Sequence, residues 1–481
     1  MRVIKNYFYS VGYQVLNMIL PLITGPYVAR VLGPKGVGIN TYTGAVAQYF
    51  VLIAGLGIAL YGNRQIAYVK SDRHQLSVTF WEIQLIKVAT TVIAFVTFAI
   101  YLSFVHEYRF YLLLQSSYII ATGFDISWLY EGIEDFKKTF TRNTLVRIVS
   151  LVLILTMVHR PSDVWLYIVI LGISNLGGYV ALWPTLRKML VPVKLKELHP
   201  GIHLRGAIIL FVPYMTLNIY PVINKTLLKH FIGIDASGYF EKSDVMIRMA
   251  LTIVTSVSAV LLPHTSKAYA DGKVTLIKKL LKTSFGYVSM MAFPIALGLA
   301  AIAPKFGVFF YGKGFAPVGP AMMIESSAII FMGWSSITGN QYLIPTRQSK
   351  HYTHSVLLGS LLNIILDVPL IILFGLNGAA FATLFAEAFI SLYQLVVIGK
   401  QVDYSSWLLD IIKYAFSAII MFFVVATLNK VFEMTVATLV LEIVVGAISY
   451  LFGLVLLKPT TSLQLKRALF SMVERIRSKF S

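Results

Sequence analysis

The sequence predicts an all-α polytopic membrane protein of about fourteen transmembrane helices, and three observations carry that prediction. The 481-residue chain is 57% hydrophobic and only 13% charged. Its mean hydropathy of +0.75 is far above that of a soluble chain of this length. Apolar stretches of roughly 20 residues, the length that crosses a bilayer, recur from end to end. The 41 Lys and Arg residues gather in alternate gaps between those stretches. Lys70 and Arg73 share one gap, Lys137, Lys138 and Arg142 another, then Arg187, Lys188, Lys194 and Lys196. Lys267, Lys273, Lys278 and Lys279 follow, and then Lys466, Arg467, Arg475, Arg477 and Lys479. The gaps between hold one or two each, such as Lys35, Arg109, Arg160, Lys229 and Lys430. That alternation predicts a multi-pass protein of the cell membrane with both termini in the cytoplasm.

The spans are expected in order near 7–32, 37–62, 79–104, 110–130, 140–158 and 164–186, an N-terminal lobe over residues 1–190. A basic cytoplasmic linker, 191–205, carries Pro192 and Pro200. A second lobe over 206–400 holds spans near 207–228, 239–262, 280–303, 316–343, 355–374 and 377–398. Two more spans fall within 401–458, near 411–428 and 436–457. The basic tail 459–481 places Leu463, Leu465, Leu469, Met472, Val473 and Ile476 on one face. It reads either as an amphipathic helix on the inner surface or as a solvated helical tail. The spans near 7–32 and 316–343 carry the most Tyr, Asn, Ser and Gly and are the least apolar. The start of the chain runs straight into a long span with no small-residue cleavage site, so no removable signal peptide is expected.

An internal echo supports two pseudo-symmetric six-helix lobes. Arg30-x-x-Gly33-x-x-x-x-Gly38 joins the first two spans, and His230-x-x-Gly233-x-x-x-x-Gly238 joins the seventh and eighth, two hundred positions later. Glycine permits the positive φ that a tight turn requires, and parallel repeats of this kind are a common transporter architecture.

The net charge of +20 would suggest nucleic acid in a soluble chain. Here the basic residues flank apolar spans, so anionic lipid headgroups are the expected partners and nucleic acid is not. The chain has no cysteine, which excludes disulfides, thiol chemistry and Cys-ligated metals. No Walker loop, dinucleotide fingerprint or HExxH motif occurs. The external gaps are short, the longest being 305–315, and the nine histidines fall mostly at span ends, as do His199 and His203, where headgroup contact is expected. These features argue against an enzyme, a metal site or a cofactor and favour a transporter.

A charge within the bilayer costs about 2.5–3.5 kcal/mol or more, so each such group needs a partner or a wet cavity. The spans hold Glu82, Lys87, Asp125, Arg147, Lys225, Glu241, Asp244, Arg248, Glu325, Asp367, Glu387 and Glu442, and the deepest of them, drawn from both lobes, predict a water-filled polar cleft between the two bundles. Glu241, Asp244 and Arg248 share one helical face. They read either as a structural ion pair or as an anion contact, Arg248, beside carboxylates that couple a cation. Arg147 shares a polar stripe with Asn143 and Ser150, which predicts a cavity wall. Lys225 follows Pro221, where a kinked helix lines transport pathways in many carriers. Arg30 either snorkels to outer headgroups or meets phosphate at the cavity mouth. Asp125 lies near Trp128 and Tyr130, which either stack on sugar rings or pack in the core. Asp367, before Pro369, reads either as structural or as an ion-binding site, and Glu325 and Glu387 read either as cation sites or as groups that neutralise the cationic lining.

Four segments resemble a known family. Tyr27-Val28-Ala29-Arg30-Val31-Leu32-Gly33-Pro34-Lys35-Gly36-Val37-Gly38 and Leu56-Gly57-Ile58-Ala59-Leu60-Tyr61-Gly62-Asn63-Arg64 are similar to motifs of the prokaryotic polysaccharide repeat-unit flippases. Gln341-Tyr342-Leu343-Ile344-Pro345 and Gly375-Leu376-Asn377-Gly378-Ala379-Ala380-Phe381-Ala382-Thr383 are similar to patterns in the second lobe of that family. The family belongs to the multidrug/oligosaccharidyl-lipid/polysaccharide exporter superfamily. The resemblance implies two six-helix lobes around a cavity, alternating access, and transfer of an undecaprenyl-pyrophosphate-linked oligosaccharide to the outer leaflet. It carries over Arg30 and Arg64, which lie in matching motifs; Arg64 reads equally as an orientation anchor. A polysaccharide polymerase or glycosyltransferase is a candidate partner on the basic loops. A cation-coupled drug exporter of the same superfamily and an integral membrane glycosyltransferase or polymerase are the competing functions.

Overall fold

The computed structural model describes residues 2–402 and 405–460, with the side chains of residues 2–19, 213, 217, 405 and 406 outside the description. The predicted tail helix lies outside the described residues from position 461 onward. Every regular element among the described residues is helical. In the first part these are α1 (Arg2–Gly55), α2 (Ile58–Val69), α3 (Arg73–Phe104), α4 (Arg109–Phe124), α5 (Ser127–Gly132), α6 (Phe136–Met157), α7 (Val164–Val180) and α8 (Gly201–Phe231). They continue as α9 (Ile234–Ala270), α10 (Val274–Tyr311), α11 (Val318–Glu325), α12 (Ala328–Ser335), α13 (Ser349–Phe374), α14 (Leu376–Gly399), α15 (Ser405–Val431) and α16 (Val436–Leu457).

By length and composition, 10 of these helices can cross a membrane, or 11 with the bent α8. The stretch Leu20–Val69 counts once there but holds two predicted spans. The 16-residue α4 occupies the predicted span near 110–130, and the predicted span 316–343 is divided among α11, α12 and a π-helical turn, Ser336–Leu343. Together these account for the predicted spans. The bend in α8 is 47° and falls at residue 217, whose carbonyl loses its helical partner because Pro221 has no N–H.

Helix contacts divide the chain into two units, Met1–Glu241 and Lys242–Ser481. In the first, α1 packs against α3, α4, α6, α7 and α8. It turns at Gly33 (φ 67°, ψ 178°), and Gly233 separates α8 from α9 at φ 137°. The second glycine of each echo meets the other. A Cβ on Gly38 would lie 2.1 Å from the Ile234 carbonyl oxygen, and one on Gly238 would lie 2.8 Å from the Gly38 nitrogen. The echo in the sequence is therefore a backbone-to-backbone contact, open only to residues without a side chain.

Aromatic side chains fill the core of this unit. Trp128 stacks on Phe80 with ring centroids 5.4 Å apart, and the Tyr130 hydroxyl donates to the Leu182 carbonyl at 2.9 Å. Both residues are buried, so of the two readings open in the sequence, core packing is the one the structure adopts. His203 departs from its expected headgroup contact. It is buried, 2.8 Å from Glu82 Oε2 and 2.8 Å from the Tyr61 hydroxyl. Glu82 also accepts the His199 backbone N–H at 2.7 Å, so a carboxylate inside α3 finds partners by clasping the start of α8.

In the second unit, α10 packs on α11, α12 and α15, while α13 pairs with α14 and α15 with α16. Several polar side chains of the span 316–343 bond to neighbouring helices. Thr338 donates to Gln394 at 2.6 Å, Gln394 to Ser355 at 2.9 Å, Gln341 to Ser284 at 2.7 Å and Trp334 to Ser289 at 3.0 Å. Polar side chains of this kind join helices where water is scarce.

The glycine contact gives a direct test. Gly38→Ala should lower stability by about 1–3 kcal/mol through overpacking, read as a fall in the thermal unfolding midpoint of detergent-solubilised protein. Gly55→Ala, whose added Cβ would meet nothing within 4 Å, should leave the midpoint unchanged.

Candidate functional site

The site begins with a break in a helix. Helix α4 stops at Phe124 and α5 starts at Ser127, which strips the Gly123, Phe124 and Asp125 carbonyls of their intrahelical donors. Three side chains replace those donors. Gln84 donates to the Gly123 carbonyl at 2.8 Å, the Trp183 indole N–H to the Phe124 carbonyl at 2.8 Å, and Lys87 to the Asp125 carbonyl. Lys87 Nζ also lies 3.4 Å from Asp125 Oδ2, with the lysine side chain only 3% exposed. Asp125 Oδ1 accepts the Ser127 backbone N–H at 2.9 Å. Non-helical backbone survives inside a membrane when it is satisfied in this way and borders a wet space.

A cavity of ≈ 550 Å³ in the first unit lies beside the break and is lined by α1, α4, α6, α7 and the break itself. From the break come Asp125, Ser127 and Glu131; α6 supplies Arg142, Asn143, Arg147 and Ser150. Helix α7 presents every fourth residue, Tyr167, Leu171, Asn175 and Tyr179, and α4 adds Tyr118. Arg142 donates to the Ser127 hydroxyl at 2.6 Å, and its guanidinium lies 4.6 Å from the centroid of the Tyr179 ring. Its Nε is buried without a hydrogen-bond partner in the protein. Glu131 accepts from Asn63 at 3.3 Å. Two guanidinium groups, two side-chain amides and three phenols thus face a space of small-ligand size. Guanidinium groups suit phosphate oxygens, while amides, hydroxyls and aromatic rings suit sugars.

Of the residues singled out in the sequence, Asp125 and Arg147 line this cavity. Lys225 instead pairs with Glu241 at 2.5 Å, joining α8 to α9. Arg30 is exposed on α1, and Arg64 is exposed on α2, 5.9 Å from the centroid of the Tyr61 ring. In the second unit Arg248 Nε lies 2.8 Å from Asp244 Oδ1, one turn away on α9. Asp367 and Glu387 are buried on the neighbouring helices α13 and α14. Sequence reasoning missed Arg142, counted among the basic loop residues, and Glu131, just beyond a predicted span end. The signals were available: Arg142 precedes Arg147 by five positions with Asn143 between, and Tyr167, Asn175 and Tyr179 share one face of α7.

The same fold is found in solved helical membrane proteins. The solved structure of the lipid II flippase MurJ in an inward closed conformation matches with a TM-score of 0.76 at 18% identity, covering 96% of this chain and 100% of that one. An inward-facing multidrug resistance MATE family transporter of the MOP superfamily matches with a TM-score of 0.60 at 16% identity, covering 80% of this chain and 95% of that one. The family model described as polysaccharide biosynthesis protein matches residues 3–269, more than half the chain. The chain is a multi-pass membrane protein and belongs to that family. A protein of Escherichia coli K12 named for O-antigen transport is 23% identical over 411 residues, covering 82% of this chain and 97% of its own.

The helix break can be tested by removing its donors. Lys87→Met, which leaves Asp125 without its cation, should destabilise by about 3–5 kcal/mol, and Gln84→Leu by about 1–3 kcal/mol. Chemical denaturation in detergent should rank the two in that order.

Proposed function

We propose that the protein is a flippase for undecaprenyl-pyrophosphate-linked oligosaccharide repeat units, precursors of capsule, O-antigen, teichoic acid or exopolysaccharide. It moves them from the inner to the outer leaflet of the cell membrane by alternating access. The observation that carries this reading is the pairing of Arg142 and Arg147 with Asn143, Asn175 and three tyrosines around one cavity. Family membership and the likeness to proteins named for O-antigen transport and lipid II flipping support it.

The physical task is to carry hydroxyls and phosphates past hydrocarbon, where each unsatisfied polar group costs several kcal/mol. A hydrated cavity removes most of that cost, and the arginines neutralise the diphosphate while it is inside. In the empty carrier the diphosphate's negative charge is gone and the arginines of the wall remain. A membrane potential negative inside draws them back by about 2.3 kcal/mol per charge per 100 mV, which resets the carrier without ATP. Under this reading both termini are cytoplasmic, and Asp367 and Glu387 are the candidate coupling carboxylates. The ion pair Lys225–Glu241 ties α8 to α9, and Arg248–Asp244 lies within α9. A drug exporter for cations fits the cavity less well, because Lys87 already pairs with Asp125 and Glu131 shares the rest of the wall with two arginines.

A leaflet-accessibility assay tests this. In vesicles holding a defined lipid-linked oligosaccharide, the protein should make the glycan available to an impermeant sugar-modifying enzyme. Arg142→Gln and Arg147→Gln should each slow transfer about tenfold or more, the weight of one charge-assisted hydrogen bond, and the Lys variants should keep more of the rate. Full rates in both Gln variants would contradict the reading.

A further inference from the structure

A second concavity lies on the opposite side of the α6 helix wall. A groove of ≈ 750 Å³ runs between α6 and α7 and the residues after α7, lined by Leu145, Val149, Gly177, Ala181 and, at one end, Lys137 and Lys138. Leu145 is 57% and Val149 49% exposed, so this apolar face is open to lipid. The opening exists because α7 is bare there. A Cβ on Gly177 would meet no atom within 4 Å, whereas one on Gly178 would lie 2.3 Å from Val146 Cγ2 and 3.2 Å from Arg142 Cδ. Arg142 and Val146 line both the groove and the polar cavity. The wall between hydrocarbon and the wet space is therefore one layer of side chains thick.

Resting on the flippase reading, we propose that this groove holds the polyprenyl chain of the substrate while its diphosphate and sugars occupy the adjoining cavity. Charge order along α6 favours that occupant. Lys137 and Lys138 stand at one end, where Lys138 also meets Asp135 at 3.3 Å, Arg142 follows one turn on, and Leu145 and Val149 continue the line as apolar residues. A phosphate followed by a hydrocarbon chain presents the same order. An ordinary phospholipid would satisfy the lysines and the apolar strip, but it has no use for the shared wall. A lipid whose large polar head must sit in the cavity needs a place where chain and head are separated by a single side chain, and Arg142 with Val146 forms that place. Arg142 Nε, buried and without a protein partner, supplies a spare donor there.

The test uses undecaprenyl phosphate with a photoactivatable diazirine in its chain, bound to the full-length protein in nanodiscs and mapped by peptide mass spectrometry. Adducts should concentrate at residues 141–149 and 174–181. Unlabelled undecaprenyl phosphate should suppress them, and phosphatidylglycerol at the same excess should not. Gly177→Leu places a side chain in the groove without a backbone clash. It should cut the adduct yield about tenfold, the effect of excluding roughly two methylenes from a binding surface, at an unchanged thermal midpoint. A water-soluble oligosaccharide diphosphate lacking the chain should bind this variant as it binds the parent. Adducts spread over all lipid-facing helices, equal displacement by phosphatidylglycerol, or an unaltered yield in Gly177→Leu would overturn the proposal. Glycan transfer by the parent protein in the same vesicles reports separately on the flippase reading. Transfer with scattered adducts sinks the groove alone; groove adducts without transfer sink the flippase alone.

Discussion

Three backbone carbonyls at the α4–α5 break set the terms for the first unit. Inside a membrane, backbone polar groups must be satisfied by the protein or by a wet cavity. Gln84, Lys87 and Trp183 satisfy the Gly123, Asp125 and Phe124 carbonyls from α3 and from the segment after α7. By doing so they fix a turn that no continuous helix could make. That turn puts Asp125, Ser127 and Glu131 at the edge of the cavity and gives Arg142 its hydroxyl partner. The polar wall of α6 is thereby held against the break, and the transport chemistry proposed for it depends on this local geometry.

Polar groups elsewhere in the chain obey the same constraint by a different route. Glu82 is tied to His203 and the start of α8, Lys225 to Glu241, and Asp244 to Arg248. Ser243 donates to Glu325 at 2.5 Å. The Glu82, Lys225 and Glu325 contacts join helices, whereas Asp244–Arg248 lies within α9 and leaves Arg248 partly exposed. The charged residues of the spans therefore fall into two sets, one tied to partners within the protein and one that faces a space. Charge type alone does not separate them; the partner within reach does.

Much of the architecture was legible in the sequence because hydropathy and basic-residue alternation report directly on the bilayer. The glycine echo was legible too, and its cause proved more specific than a turn: Gly38 and Gly238 touch each other across two hundred positions. The site was only half legible. Asp125 and Arg147 stood out because they sit deep in apolar runs. Arg142 did not, because two lysines just before it made it look like part of a topology signal. Trp128 and Tyr130 carried the right chemistry for sugar but are sealed in the core by Phe80 and Leu182, while Tyr167 and Tyr179 took the cavity positions. Burial by a partner distant in sequence is what a single chain's pattern does not encode. His203 makes the same point, since its carboxylate and its tyrosine lie 121 and 142 positions away.

The central claim is that the α6–α7 wall encloses water on one side and meets lipid on the other. Because the chain has no cysteine, single cysteines report on one position each. Asn143→Cys and Asn175→Cys should react rapidly with a water-soluble maleimide and be protected by lipid-linked oligosaccharide. Leu145→Cys and Val149→Cys should stay unreactive towards it. Slow labelling at both cavity positions, at the level of the lipid-facing pair, would mean that the space is dry and would contradict the account.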